Sequence, residues 1–337
     1  MPHRINRAIE LLDQGQAIYY TGPHSGHVLT YEQGKKDAHT WADYINVGME
    51  HGSFDMAGLA EYMRGLVDGG PTASGHKTPA VIVEAPVDGT DEANVRFNSW
   101  QFRQILGRGV HGILLCQAES ADAVRAFVAG CRYPINLQGV DPSLPSPVDR
   151  LRGATMARTS PSPQPSPTGR GHAPAGSGRA DGRPWLCVGT RGRGSENTAA
   201  PVWGIDQTEY VERCDPWPLN RRGELLLGVK IESPEGVAHC DEVLAVPGLG
   251  FAEMGPGDLG LSLGYLRGAP RNPYPPEMQE AHEKIFAACR RNSVAFLEGA
   301  TPDDIAAKID AGVRVIAGGR EDTARAGRKH SKRTMPV

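Results

Sequence analysis

The stretch 225–264, "LLLGVKIESPEGVAHCDEVLAVPGLGFAEMGPGDLGLSLG", decides the fold. It opens on a largely apolar run, "LLLGVKIE" (225–232), and returns after a helix-length segment to a second run, "GFAEMG" (250–255). Runs that are apolar on both faces, separated by helical segments, belong to parallel sheets whose two faces are both covered. One acid closes each run, Glu232 on the first and Asp258 just beyond the second, where glycines mark a turn. A polar turn and a ligand at the mouth of a strand are the two readings of Asp258.

The same alternation extends outward along the chain. Strands are expected at "AIYYTG" (17–22), "DYINVGM" (43–49), "AVIVEAP" (80–86), "GILLCQA" (112–118), "VAFLEGA" (294–300) and "VRVIAGG" (313–319). Helical patterns lie between them, as in 91–109 and 276–292. Eight such strands in 337 residues predict one closed (β/α)8 TIM barrel, an α/β fold, spanning 1–337. Residues 141–184 break the alternation with "SPSPQPSPTGRG" and its proline-, serine- and glycine-rich surroundings. Such a segment lacks the apolar surface needed to offset its ordering entropy, so it reads as a low-complexity, flexible surface insertion.

Composition excludes several function classes. Apolar residues make up 39% and charged residues 22%, with a net charge of -3, so nothing favours nucleic acid as a partner. The six cysteines include no CxxC pair, which argues against a zinc knuckle and fits reduced thiols in a cytoplasmic protein. The opening "MPHRINRAIELLDQGQ" has no apolar signal core, and no window reaches the ~18 apolar residues of a membrane span. Basic residues gather in a C-terminal tail, 320–337, expected to be solvated or to contact another subunit.

In a parallel barrel, residues at the C-terminal ends of strands face one shared mouth. Glu232 and Asp258 follow consecutive strands, so their carboxylates are expected to converge. Two hard oxygen ligands with open positions suit Mg²⁺, Mn²⁺ or Co²⁺ held together with water and substrate oxygens. Gly255, Gly257 and Asp258 sit where a helix would begin, so their amides could receive a carboxylate.

The words around these acids, "KIESPEGVAHCDEVLAVPGLGFAEMGPGDLGLSLGY" (230–265), closely resemble the metal-binding half of the HpcH/HpaI aldolase family. That family consists of barrels of the phosphoenolpyruvate/pyruvate type that cleave or join pyruvate and aldehydes. The resemblance implies Glu232 and Asp258 as metal ligands, with the amides near Gly255, Gly257 and Asp258 holding the 2-oxo acid carboxylate. "YINVGMEHGSFDM" (44–56) resembles the family's "IDGEHAP" segment, which implies His51 as catalytic base. "ACRYP" (130–134) and "GTRGRGSENTAAPVWG" (189–204) resemble words that lie close together in the family. The resemblance also implies a homo-oligomer, a hexamer, and a small 2-oxo acid as substrate.

Three positions depart from the pattern. Strand three ends in Glu84 where the family has an arginine that steadies the enolate oxygen, and Gly48 replaces an aspartate three residues before the base. Lys230 stands where the family has a glutamine. Residues two apart on a strand share a face, so Lys230 should point inward beneath Glu232. It is expected either to neutralise Glu84 and restore the lost positive charge, or to satisfy Glu232. Gln117, Glu119 and Arg191 are further candidates for lining the mouth, with a structural role the alternative for each. The expected activity is metal-dependent carbon–carbon cleavage through an enolate. Other enolate chemistry on the same barrel (thioester lysis, decarboxylation or hydration) and a non-catalytic metal–carboxylate binding barrel remain the alternatives.

Overall fold

A computed structural model describes residues 3–145, 148–149, 179, 182–271, 273–317 and 320–337. Eight parallel strands close into a barrel among the described residues: β1 Ile18–Thr21, β2 Tyr44–Gly48, β3 Ala80–Asp88, β4 Gly112–Cys116, β5 Leu225–Ile231, β6 Phe251–Met254, β7 Ala295–Gly299 and β8 Val313–Ala317. Each overlaps a strand expected from the sequence. Closure comes from β4 pairing with β5 (Gly112↔Leu226) and β8 pairing with β1 (Val315↔Ile18). A two-residue strand, Pro216–Trp217, pairs with β5 outside the ring.

Alternation along each strand builds two cores. Ile18, Tyr20, Tyr44, Ile82, Leu114, Leu226, Phe251, Leu297 and Val315 pack together inside the barrel. The intervening residues, such as Ile45, Val47, Val81, Val83, Ile113, Leu227 and Val229, pack against the helices. Helix α1 (Arg7–Asp13) adds Ala8, Ile9 and Leu11 to the inner cluster and so closes the N-terminal end. No helix of the described residues is long and apolar enough to cross a membrane.

The strands end where the sequence tells the chain to start a helix. After β5, Ser233 caps the next helix through its hydroxyl (Gly236 N–H to Ser233 Oγ, 3.0 Å) and Pro234 takes the first helical position. After β6, Gly255 is the cap and Pro256 the first helical residue. Proline has no N–H to give a strand ladder and its fixed φ suits a first helical turn. Both junctions therefore fall at the C-terminal mouth, with Glu232 and Asp258 on them.

The C-terminal segment, expected to be a solvated or subunit-contacting tail, packs two of its arginines onto the barrel. Helix α2 (Glu321–His330) carries Arg328, and Arg333 follows. Both reach Asp43, a fully buried acid at the start of β2. The signal was missed because Asp43 lies some 290 positions away in sequence. Most of the expected flexible insertion at 141–184 lies outside the described residues. Its flanks meet: Thr190 N–H donates to Ala129 O at 2.8 Å and Arg191 N–H to Arg132 O at 2.9 Å.

Candidate active site

Glu232, one residue past β5, is buried at 1% exposure. Its Oε1 accepts the backbone N–H of Gln117 at 2.9 Å, while its Oε2 is buried with no hydrogen-bond partner. Gln117 holds that amide in place with a φ of 49°, a left-handed conformation that a non-glycine residue adopts only under constraint. Gly255 leaves room for the carboxylate, since a Cβ there would stand 2.1 Å from Glu232 Oε2. Burial pushes the Glu232 carboxyl up to about 8; Lys230 and the Gln117 amide oppose this, while Glu50 and Asp258 add to it.

Asp258 and His51 approach the same place from different elements. His51 Nε2 lies 3.8 Å from Asp258 Oδ2 and 3.5 Å from Glu50 Oε2, with the imidazole half exposed. Glu50 links the whole mouth. Ligand atoms of Glu50, His51 and Asp258 fall within 4.8 Å of one another, and so do those of Glu50, Cys116 and Glu232. Sequence reasoning missed Glu50, although it adjoins His51. Past the end of β2 the chain turns, so strand alternation no longer says which neighbour faces inward.

Lys230 faces inward as expected but has a different partner. Its ammonium pairs with Glu50 Oε2 at 2.6 Å, and it acts on Glu84 and Glu232 only as a charge through space. Burial disfavours the ammonium, yet the surrounding Cys116, Glu84, Glu232 and Glu253 hold its pKa above the ordinary value. Glu84 is satisfied by groups the sequence did not suggest. His24 Nδ1 lies 2.5 Å from its Oε1, and the Asn46 amide donates to the same oxygen at 3.1 Å. Burial works against charge on Glu84, but His24, Lys230 and Asn46 together bring its pKa below the usual value. Glu253, inward on β6, is driven up to about 7 by burial, against Lys230 and His24.

One further expectation needs correcting, and the alternatives for Arg191 are decided. The Gly255 N–H is engaged, donating to Ile231 O at 3.0 Å as the strand ladder runs out, so it cannot also hold a carboxylate. The first bond of the following helix is Leu259 N–H to Gly255 O at 3.0 Å, which leaves the amides of Gly257 and Asp258 outside its ladder. Arg191 does not line the mouth. It is buried between the rings of Tyr133 and Tyr210, donating to Cys214 Sγ, Ser195 Oγ and the Tyr210 hydroxyl. Glu119 accepts from the Ser233 hydroxyl at 2.6 Å, a contact that secures the cap after Glu232.

The HpcH/HpaI aldolase/citrate lyase family model matches residues 87–322, most of the chain. The chain belongs to this family. A hydroxypyruvate/pyruvate aldolase of Delftia acidovorans is 31% identical over 132 residues, 39% of this chain and 45% of its own length. The chain thus aligns with less than half of that relative. A hydroxypyruvate/pyruvate aldolase of Paraburkholderia phytofirmans is 22% identical over 283 residues, 83% of this chain and 79% of its own length. Among solved structures, an HpcH/HpaI aldolase/citrate lyase family protein from Burkholderia cenocepacia covers 96% of this chain and 97% of its own, with a TM-score of 0.60 and 19% identity. At that identity the likeness shows the fold.

Proposed function

We propose that the protein is a divalent-metal-dependent carbon–carbon lyase, an aldolase acting on a 2-oxo or hydroxy-oxo acid. What supports this most is that Glu232, Asp258 and His51, far apart in sequence, stand at one mouth with a buried, unpartnered carboxylate oxygen among them. The donors fit a hard cation such as Mg²⁺, Mn²⁺ or Co²⁺: Glu232 and Asp258 would hold it, with Glu50 beside both. Glu50, Glu84, Glu232, Glu253 and Asp258 crowd one mouth, and burial pushes the Glu232 and Glu253 carboxyls up; a divalent ion would favour their ionised forms. When bound, such an ion supplies Lewis-acid stabilisation of negative charge on the substrate's oxo oxygen.

The chain's own groups account for the rest. His51, half exposed and steadied by Glu50 and Asp258, takes and returns the proton of the aldol step at Nε2. Lys230 keeps Glu50 paired, and the Gln117 amide fixes the orientation of Glu232. Amides of Gly257 and Asp258 receive the substrate carboxylate.

The remaining readings follow the same resemblance. The barrel is one domain that the 141–184 segment interrupts, a view supported by the bonds joining its flanks. A homo-oligomer, a hexamer by resemblance, fits the exposed Phe97 and Trp100.

The test is deuterium exchange from pyruvate with added Mn²⁺. Wild type should exchange, whereas Glu232→Ala and His51→Ala should lose on the order of 10²- to 10⁴-fold in rate. Metal binding without exchange or turnover on any 2-oxo acid would instead favour a binding barrel.

A further inference from the structure

The acid at the end of β3 is one part of a rebuilt corner of the mouth. His24 sits on the loop after β1, its side chain 44% exposed, and its Nδ1 meets the buried Oε1 of Glu84 at 2.5 Å. The backbone makes room for this. A Cβ at Gly48 would stand 2.0 Å from His24 O and 2.7 Å from His24 Cα, so any side chain there would push the loop away. Glu84, Gly48 and His24 therefore go together: the acid anchors the imidazole and the glycine admits its backbone.

The two nitrogens of His24 are held unequally. Nδ1 has the short bond to a carboxylate, which fixes the ring and favours the doubly protonated form. Nε2 has a 3.2 Å contact with the Tyr20 hydroxyl, the long and weak end of hydrogen-bond geometry. A ligand carboxylate would displace that phenol, because it adds an ionic attraction to the imidazolium that the neutral hydroxyl lacks. The charged and titratable groups facing His24 are Glu84 from β3, Glu253 from β6, Lys230 from β5 and Tyr20 from β1. The direct contact with the Glu84 carboxylate outweighs the more distant Lys230, so that corner can carry a second cation on His24.

We propose that His24 is a second substrate-contacting residue of this mouth, an imidazolium held by Glu84 that donates from Nε2 to a negatively charged oxygen of the bound 2-oxo acid. Glu84 is then a positioning residue, acting through His24 without touching substrate. The inference rests on the 2-oxo acid reading of the site, and the experiment separates the two.

The experiment is calorimetric titration of pyruvate into the full-length, Mn²⁺-loaded protein across pH, together with the imidazole resonances of His24 followed by NMR in the same protein loaded with diamagnetic Mg²⁺. Pyruvate should shift the His24 resonances in wild type. His24→Gln should weaken pyruvate binding about ten- to a hundredfold at neutral pH, with Mn²⁺ affinity unchanged. Glu84→Gln should move the pH at which pyruvate affinity falls downward, because His24 loses its proton sooner. Wild-type binding of Mn²⁺ and pyruvate with His24 resonances unmoved overturns the role of His24 while sparing the aldolase reading, and needs no variant to fold. A wild type that takes Mn²⁺ but no pyruvate overturns the reading and the inference with it.

Discussion

At the N-terminal end of the barrel Asp43 faces three arginines, while at the C-terminal mouth Glu50, Glu84, Glu232, Glu253 and Asp258 crowd around Lys230, His24 and His51. Asp43 has no oxygen to spare. Its Oδ2 accepts Tyr19 N–H at 3.0 Å and Arg333 Nη1 at 2.7 Å, and its Oδ1 accepts from Arg333 and Arg328. Burial works against charge on Asp43, but the arginines outweigh it and hold its pKa below the usual value. At the mouth, Glu232, Glu84 and Glu253 each keep a buried oxygen without a partner. An unpartnered atom does not by itself mark a site, since Nε of Arg7, Arg328 and Arg333 is also buried without a partner. What sets the mouth apart is that its unpartnered atoms are carboxylate oxygens gathered at the end of a barrel where ligands bind.

Removing an acid should therefore have opposite consequences at the two ends. Asp43→Ala strands three guanidinium groups, with Arg7 fully buried among them, and should cost about 3–5 kcal/mol. Denaturant unfolding measures this, and pyruvate exchange per folded molecule should not change. A loss below about 1 kcal/mol would mean that Arg328 and Arg333 simply turn to solvent, and that the C-terminal segment is not a lock on the barrel.

Smaller effects are expected at the mouth. Glu232 titrates near 8, above the ordinary glutamate value, so the folded protein binds more protons than the unfolded chain between those two pH values. Metal-free stability should accordingly fall as pH rises from about 4.3 to 8, and Glu232→Gln should flatten that fall instead of destabilising the protein. Mn²⁺ should reverse the trend by about 2.7 kcal/mol at a hundred times its Kd, more at higher pH because it competes with protons. Thermal melting with and without Mn²⁺ at several pH values is the measurement. A metal-free melting temperature that rises over this window would contradict the electrostatics described for Glu232.

The barrel was legible because its strands are nearly continuous apolar runs that end in glycine or in a serine–proline helix start, and both signals are local. Glu232 and Asp258 were legible because strand order brings consecutive strand ends together, whereas His51 was read only through the resemblance of "YINVGMEHGSFDM" (44–56) to a family segment. His24, Glu50 and Asp43 were not. His24 and Glu50 sit on turns after β1 and β2, where the period-two rule lapses, and nothing local marks "GPHSG" (22–26) as folding back onto β3. Lys230 was read correctly as inward. Its partner was misjudged because Glu50 reaches down from β2, whereas Glu84 was the acid visible on an inward face. Arg191, a candidate for the mouth with a structural role as its alternative, has the structural one: a sequence word that follows a family pattern does not by itself say whether its arginine faces the mouth or a pair of tyrosines.

The smallest effect on stability is expected at Gly257, and it bears most directly on where a ligand carboxylate would sit. Gly255 cannot accept a side chain, since its Cβ would meet Glu232, but a Cβ at Gly257 would meet nothing within 4 Å. Gly257 is exposed in the first turn of a helix, where alanine is favoured over glycine by up to about 1 kcal/mol. Gly257→Ala should therefore be neutral or slightly stabilising in thermal melting. If the open space beside the Gly257 and Asp258 amides is where the 2-oxo acid carboxylate lies, the same methyl group should weaken pyruvate binding while leaving Mn²⁺ binding intact. If pyruvate binds the variant as tightly as wild type, the carboxylate lies elsewhere, and the glycine-rich turn serves only to let the backbone pass close to Glu232.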